Sequence, residues 1–266
     1  MTEAWMMLPA LGEGEPIAGH EGAPWLVRDP RGWHLRLARP AQHNRLDPAD
    51  VDALTALFDQ LTPENAPPSI VISGSGGRSF SSGYTLDAIV EQLDDRFETM
   101  LDKLEALPCL TIAALNGSVY GGATDLALCC DIRLGQDGIR LLMPAASIGL
   151  HYYPGGLRRY VSRLGLATAS KLMLAAMPVE ADELLRIGFL TEKLPMAGLS
   201  ERVDEYRRAA AANAAPVVAR MKAHMQAIAH GLAIDGPRYE IMRRDYVAST
   251  GSAELRERLA SKLSKR

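Results

Sequence analysis

Two short apolar runs, Trp25-Leu26-Val27-Arg28 and Trp33-His34-Leu35-Arg36-Leu37, flank Asp29-Pro30-Arg31-Gly32. The second run alternates apolar with polar, and a Pro/Gly turn between two such runs predicts a β-hairpin. Asp47-Pro48 then opens a helix: Asp47 is placed to cap it, Pro48 suits the first helical position, and Val51, Leu54, Leu57, Phe58 and Leu61 recur at helical spacing. Two segments on one plan follow. The first is a strand at Ile70-Val71-Ile72, the loop Ser73 to Arg78, and Phe80-Ser81-Ser82-Gly83-Tyr84 leading toward helix. The second is a strand at Leu110 to Leu115, the turn Asn116-Gly117, and Tyr120-Gly121-Gly122-Ala123 leading into helix. Between them an amphipathic helix from about Asp94 to Leu107 presents Phe97, Met100, Leu101, Leu104 and Leu107 on one face. A third strand is expected at Asp131 to Leu134. This recurrence, at about 40 residues, predicts a layered, coiled α/β core over residues 25–195. From about Gly155 the pattern reads as helices only, and residues 196–266, broken at Pro216 and Gly236-Pro237, read as a helical region packing on the core or on another subunit. Residues 1–24, rich in Gly, Pro and Glu without a period, read as a loose arm, and Glu254 to Arg266 as a mixed-charge solvated face.

Composition narrows the partners. In 266 residues, 29 Lys and Arg oppose 32 Asp and Glu, so no basic excess points to nucleic acid. At 47% hydrophobic residues the chain is able to bury a large core, yet no apolar run approaches the roughly 20 residues a bilayer requires. Glu3, Glu13, Glu15 and Glu21 precede the first basic residue, Arg28, the reverse of a signal peptide. Cys109, Cys129 and Cys130 fit neither a disulfide framework nor a zinc site and read as small buried hydrophobes of a cytoplasmic protein. Gly74-Ser75-Gly76-Gly77-Arg78-Ser79 has a serine where a dinucleotide fingerprint needs its third glycine. Neither a phosphate loop, a Gly-x-Ser-x-Gly elbow nor a His-Glu-x-x-His pair is present, and no metal site is expected.

What remains is a pair of glycine loops, Ser82-Gly83-Tyr84 and Gly121-Gly122-Ala123, each leading toward a helix. Glycine permits close backbone approach, and first-turn N–H groups lack an intrahelical acceptor. Two such groups aimed at one point form an oxyanion hole; alternatively, Gly-Gly merely makes a tight turn. A resemblance decides between these. Phe80 to Leu86 resembles the Phe-x-x-Gly-x-Asp-Leu stretch of the enoyl-CoA hydratase/isomerase (crotonase) family, and Pro108 to Leu126, with Asn116-Gly117 and Gly121-Gly122, resembles its central signature. Cys130 to Arg133, Met143-Pro144, Gly149-Leu150, Pro154-Gly155-Gly156, Pro178 to Ala181 and Gly188 to Leu190 continue it in one register.

The resemblance implies an α/β spiral of β-β-α turns with a helical C-terminal trimerisation region, in a homotrimer or hexamer. The ligand it implies is an acyl-coenzyme A thioester, with coenzyme A part of the substrate and no separate cofactor. The thioester oxygen would lie between the N–H groups of Tyr84 and Gly122, with Ser82, Gly83 and Gly121 shaping the approach and Asn44-Arg45-Leu46 at the adenine end. The shared chemistry is an enolate-like anion stabilised where charge develops. This chain also departs from the family. Of the two glutamates of its hydratases, the first falls on Asp125, the acid/base expected here, and the second on Ala145, which cannot move a proton. His151, Tyr152 and Tyr153 lie where other branches place catalytic side chains; a tyrosine there would donate to a substrate carboxylate or orient water. Tyr84 and Thr85 replace a small residue and an acid, so the Tyr84 ring would reshape the acyl pocket. The expected function is enoyl-CoA hydration or isomerisation. Malonyl-type decarboxylation and non-catalytic acyl-CoA binding are the alternatives.

Overall fold

A strand buried on both faces must be apolar at successive positions, and the runs at Ile70 and Leu110 are. The computed structural model describes residues 14–89, 94–231 and 236–250, with Ser252, Ala253 and Glu257. Strand β1 (Glu15–Pro16) pairs antiparallel with β2 (Trp25–Asp29), and β2 with β3 (Gly32–Leu37). From β3 the sheet continues in parallel through β4 (Ser69–Gly74), β6 (Leu110–Leu115), β8 (Ile132–Gln136) and β11 (Glu192–Leu194). A second, smaller sheet holds β5 (Ser79–Ser81), β7 (Ser118–Tyr120) and β9 (Arg140–Leu142) in parallel, with β10 (Val179–Glu180) antiparallel at its edge.

Each turn of the chain therefore contributes one strand to the large sheet, one to the small sheet, and a helix. β4 and β5 lead to α2 (Arg96–Ala106), β6 and β7 to α3 (Gly122–Cys129), and β8 and β9 to α4 (Pro154–Leu164), while α1 (Pro48–Asp59) follows the hairpin. Alternation sorts the large sheet's side chains. Ile70 and Ile72 join Phe97, Leu101 and Leu104 beneath the helices; Val71, Ile112 and Leu134 meet Leu199 and Val203 on the opposite face. The helix carrying Leu199 and Val203 is α7 (Leu199–Ala211), which follows α5 (Leu166–Leu174) and α6 (Ala181–Arg186). α8 (Ala215–Ala229) and α9 (Gly236–Thr250) complete the C-terminal region. Lys222 fastens α8 to the core, its Nζ donating to the Cys109 carbonyl at 3.0 Å and to Asp131 Oδ2 at 2.8 Å.

Several sequence expectations are corrected. Phe80-Ser81 belongs to β5 rather than leading directly to helix, and β10 and β11 interrupt the stretch after Gly155 that was expected to be helical throughout. Residues 14–24 fold back so that Ile17 N–H donates to the Pro24 carbonyl at 2.9 Å. The first part of the expected arm, 1–13, and Glu254 to Arg266 apart from the exposed Glu257 lie outside the described residues. All three cysteines are unpaired and buried, and burial pushes the Cys109 and Cys130 thiols up to about 12. Among the described residues, no helix is long and apolar enough to cross a membrane.

One buried polar contact makes the fold pH-sensitive. His34 on β3 is sealed from solvent, with its Nε2 2.6 Å from Ser73 Oγ on β4. Burial, reinforced by the charges of Arg36 and Arg207, pushes its pKa down to about 3 from 6.5. Below about pH 6.5 the unfolded chain takes up a proton that the native state refuses, so this group's contribution falls as pH drops toward 3, by about 1.4 kcal/mol per unit. Between pH 6.5 and 4 the wild type is expected to lose on the order of 3 kcal/mol more than His34→Gln in urea titrations; parallel curves would refute this.

Candidate active site

The ends of β5 and α3 meet without side chains between them. Gly83 has φ +82°, and a Cβ there would lie 2.5 Å from Gly122 N and 2.8 Å from Ala123 N. Gly121, with φ 52° and ψ −133°, turns the chain from β7 into α3 and donates its N–H to the Leu142 carbonyl at 2.9 Å. Gly122 is the first residue of α3, so its N–H has no intrahelical acceptor and stands at the positive end of the helix dipole. A Cβ on Gly122 would lie 3.6 Å from Tyr84 N and would strike the Phe97 ring. The backbone nitrogens of Tyr84 and Gly122 are thus neighbours at the floor of one cavity.

The residues around Asn44 hold that floor in place. Leu46 N–H donates to the Gly83 carbonyl at 2.8 Å and Thr85 N–H to the Leu46 carbonyl at 2.9 Å, pinning the chain on both sides of Tyr84. The buried Asn44 amide donates to the carbonyls of Ser75 and Ser79 at 2.8 and 2.9 Å, and Ser81 Oγ donates to the Asn44 carbonyl at 2.7 Å. Asn116 ties β4 to the β6–β7 turn through a two-way bond between its amide and the backbone of Gly74.

Above the floor is a cavity of about 930 Å³ whose wall is largely apolar, with Leu86, Ile89, Leu142, Met143, Ile148 and Leu150 contributing. Tyr84, Ser82, Gly121, Gly122, Arg45, His151, Tyr152 and Tyr153 all border it, as does Ala145. Four expected site residues do not. Asn44 and Leu46 are buried and support the loop, Gly83 lies beneath the floor, and Asp125 has no exposure at all. Asp125, the expected acid/base, thus stands behind the cavity wall, hydrogen-bonded to Tyr153, which borders it.

Asp125 points into the protein because an arginine claims it. Arg159 donates from Nε to Oδ1 at 2.8 Å and from Nη2 to Oδ2 at 2.9 Å, and Tyr153 O–H donates to Oδ2 at 2.7 Å. The Tyr152 and Tyr153 hydroxyl oxygens are 2.9 Å apart and their rings stack at 4.2 Å. Arg159 also reaches Asp102 Oδ1 at 2.5 Å and Glu105 Oε2 at 3.3 Å. Burial raises the Glu105 carboxyl, but Arg163, Arg159 and Arg158 outweigh it and hold the group below its ordinary value. Burial, then the Asp125 charge, pushes both tyrosine hydroxyls well above their ordinary value, so they are neutral near pH 7.

Sequence reasoning missed Arg159. Its signal was available: Gly155, Gly156, Arg159 and Tyr160 form the buried face of α4, and a charge on such a face requires a partner. The role of Phe97, whose ring packs edge-on to both Tyr84 and Tyr153, was also missed; it was read only as a core position.

A model of the enoyl-CoA hydratase/isomerase family matches residues 33–257. The short-chain-enoyl-CoA hydratase of Clostridium acetobutylicum is 27% identical over 208 residues, 76% of this chain and 78% of that protein. The crotonyl-CoA hydratase of Syntrophomonas wolfei is 31% identical over 169 residues, 59% of this chain and 64% of that protein. Among solved structures, an enoyl-CoA hydratase from Bacillus anthracis superposes with a TM-score of 0.82 at 22% identity, covering 91% of this chain and 96% of that one. DspI from Pseudomonas aeruginosa superposes at 0.83 and 22% identity, covering 94% and 96%. At that identity the structural likeness is one of fold.

The ion pair makes its own prediction. Arg159→Met strands a buried carboxylate and is expected to cost about 3–5 kcal/mol in urea unfolding. Adding Asp125→Asn removes the stranded charge and should restore at least ~1 kcal/mol. Strictly additive losses would show that the two residues do not act as a pair.

Proposed function

Because the chain belongs to the enoyl-CoA hydratase/isomerase family, we propose that it binds a short-chain enoyl-coenzyme A thioester in the 930 Å³ cavity and adds water across its double bond. The observation that carries this reading is the glycine contact at the cavity floor. It sets the N–H groups of Tyr84 and Gly122 side by side, as an oxyanion hole for the thioester oxygen requires. As water oxygen bonds to Cβ one of its O–H bonds breaks, the π electrons move toward the thioester oxygen as an enolate, and one proton, equivalent to the one the water lost, bonds to Cα as the enolate collapses, so that OH and H are both added. Donors fixed where that charge develops stabilise the transition state more than the substrate.

Ala145 closes the two-carboxylate route at one position, leaving His151 and the two tyrosines as polar groups on that wall. The names of the relatives, short-chain-enoyl-CoA hydratase and crotonyl-CoA hydratase, support hydration over malonyl-type decarboxylation or binding without turnover. Coenzyme A enters as part of the substrate, with Arg45 and Ser82 on the cavity wall to meet it, and no separate cofactor is needed. Exposed Met221, Met225, Ile228, Ile241 and Val247 on α8 and α9 support burial against further copies in a homotrimer or hexamer. Three unpaired thiols support a reducing, cytoplasmic setting.

The test is crotonyl-CoA incubated in ¹⁸O-labelled water. Label in a 3-hydroxybutyryl product is expected, and Gly83→Ala, whose Cβ would push Gly122 N out of place, should lower kcat by about 100-fold or more while thioester binding persists. Thioester binding without label uptake would sink the hydratase reading.

A further inference from the structure

Behind α8 lies a second cavity of about 780 Å³, which shares no lining residue with the cavity above the glycine floor. Its wall is largely apolar, Leu110 and Ile132 of the core facing Val217, Val218, Met221 and Met225 of α8. A guanidinium from β8 also borders it. Arg133 is only 8% exposed; its Nε donates to the Phe189 carbonyl, and its Nη1 to the Cys130 carbonyl at 2.7 Å. Both acceptors are neutral, and among the described residues no carboxylate stands within ion-pair distance of Arg133. Its Nη2 makes no hydrogen bond to protein, yet it is not sealed from solvent, so it is the donor that Arg133 has left for the cavity it borders.

The neighbouring charges leave this cation uncompensated. Arg163 Nη1 donates to the same Cys130 carbonyl at 2.9 Å, which sets two guanidinium groups side by side. Glu105 accepts from Arg158, Arg159 and Arg163, with His230 Nε2 3.6 Å away, and Asp131 Oδ2 is held by Lys222 at 2.8 Å. Bordering the cavity, Arg133, Arg163 and Lys222 thus oppose Glu105 and Asp131, and the positive charge left over is a buried one. Burial, then the charge of Arg163, pushes Arg133 down to about 10, so it is weakened as a cation but still protonated at pH 7. A buried charge without a counter-charge is costly. A mostly apolar cavity of this size with a few polar groups converging on it has the form of a small-molecule site.

We propose that this cavity is a second binding site, for a small amphiphilic anion whose carboxylate meets Arg133 Nη2 while its aliphatic chain lies along the Ile132, Val218 and Met221 wall. The apolar lining disfavours a bare ion, which would leave that wall wet. Asp131 and Glu105 on the same wall disfavour a second negative charge, so a monoanion is the ligand that fits.

Calorimetric titration of the full chain with hexanoate, hexanol and acetate, with and without butyryl-CoA, tests the proposal and requires no turnover. Hexanoate is expected to bind about 10-fold more tightly than hexanol, through the charge-assisted hydrogen bond, and at least about 10-fold more tightly than acetate, through the buried chain. Arg133→Gln should abolish the preference over hexanol. Met225→Glu, at a position 60% exposed and so tolerated by the fold, brings a carboxylate to the rim and should weaken hexanoate about 10-fold while leaving hexanol unchanged. Equal affinity for hexanoate and hexanol would overturn the proposal, as would hexanoate binding that Met225→Glu leaves intact. Displacement of hexanoate by butyryl-CoA would put it in the other cavity and overturn the proposal as well. So would the absence of any binding, the result expected if a neighbouring copy of the chain fills the space.

Discussion

Everything about the site depends on a backbone-to-backbone contact that admits no side chain. The end of β5 and the first turn of α3 come together at Gly83 and Gly122 so closely that a single methyl group would collide with a peptide nitrogen. An N–H aimed at a ligand costs little at a helix start, where no intrahelical acceptor exists. The surrounding polar residues, Asn44, Ser81 and Asn116, serve this contact by satisfying loop carbonyls that would otherwise be buried without partners. Their placement explains how residues as polar as Ser73, Ser79 and Ser81 come to be buried beside the floor.

The second constraint is electrostatic. A carboxylate and a guanidinium that are both inaccessible to water are costly unless geometry is good and every hydrogen-bonding atom is used. Asp125 and Arg159 meet that condition with a two-point contact, and Asp102 and Glu105 take up the remaining guanidinium donor. The pair belongs to α3 and α4, while Asp102 and Glu105 belong to α2, so the network joins the helices of three successive turns of the spiral. One consequence reaches the cavity: the tyrosines that follow the wall inward are anchored by a charge they cannot reorient.

How much of this was legible depended on whether a residue was constrained by its neighbours in sequence or in space. The hairpin at Trp25–Leu37 and α1 were readable because turn chemistry and capping act within a few residues. The strands β5, β7 and β9 were not, because three residues cannot display an alternation and two of the three in β5 are serine. The strands β10 and β11 were hidden among helical segments for the same reason. In the site, the glycines were legible because no other residue type meets their conformational demand. Asn44 was assigned to the ligand, whereas the carbonyls of Ser75 and Ser79, more than 30 positions away, occupy it. Asp125 was likewise assigned to chemistry because its partner lies 34 positions on, in a helix whose buried face has to be seen to be recognised.

Ala145 carries no charge and Asp125 is withdrawn into an ion pair, so neither position turns a free carboxylate to the cavity, and the carboxylates bordering it are Asp87 and Asp94. A free carboxylate about 4 Å from a developing enolate would oppose it by about 4 kcal/mol at an effective dielectric near 20. Asp125 is silenced in this sense by the guanidinium against it. What remains at the floor is a pair of backbone nitrogens beside the N-terminus of α3, whose dipole has the sign that favours an enolate. Two catalytic carboxylates supply proton transfer at the expense of repulsion. On the proposed hydratase reading, fixed dipoles would stabilise the anion without that repulsion.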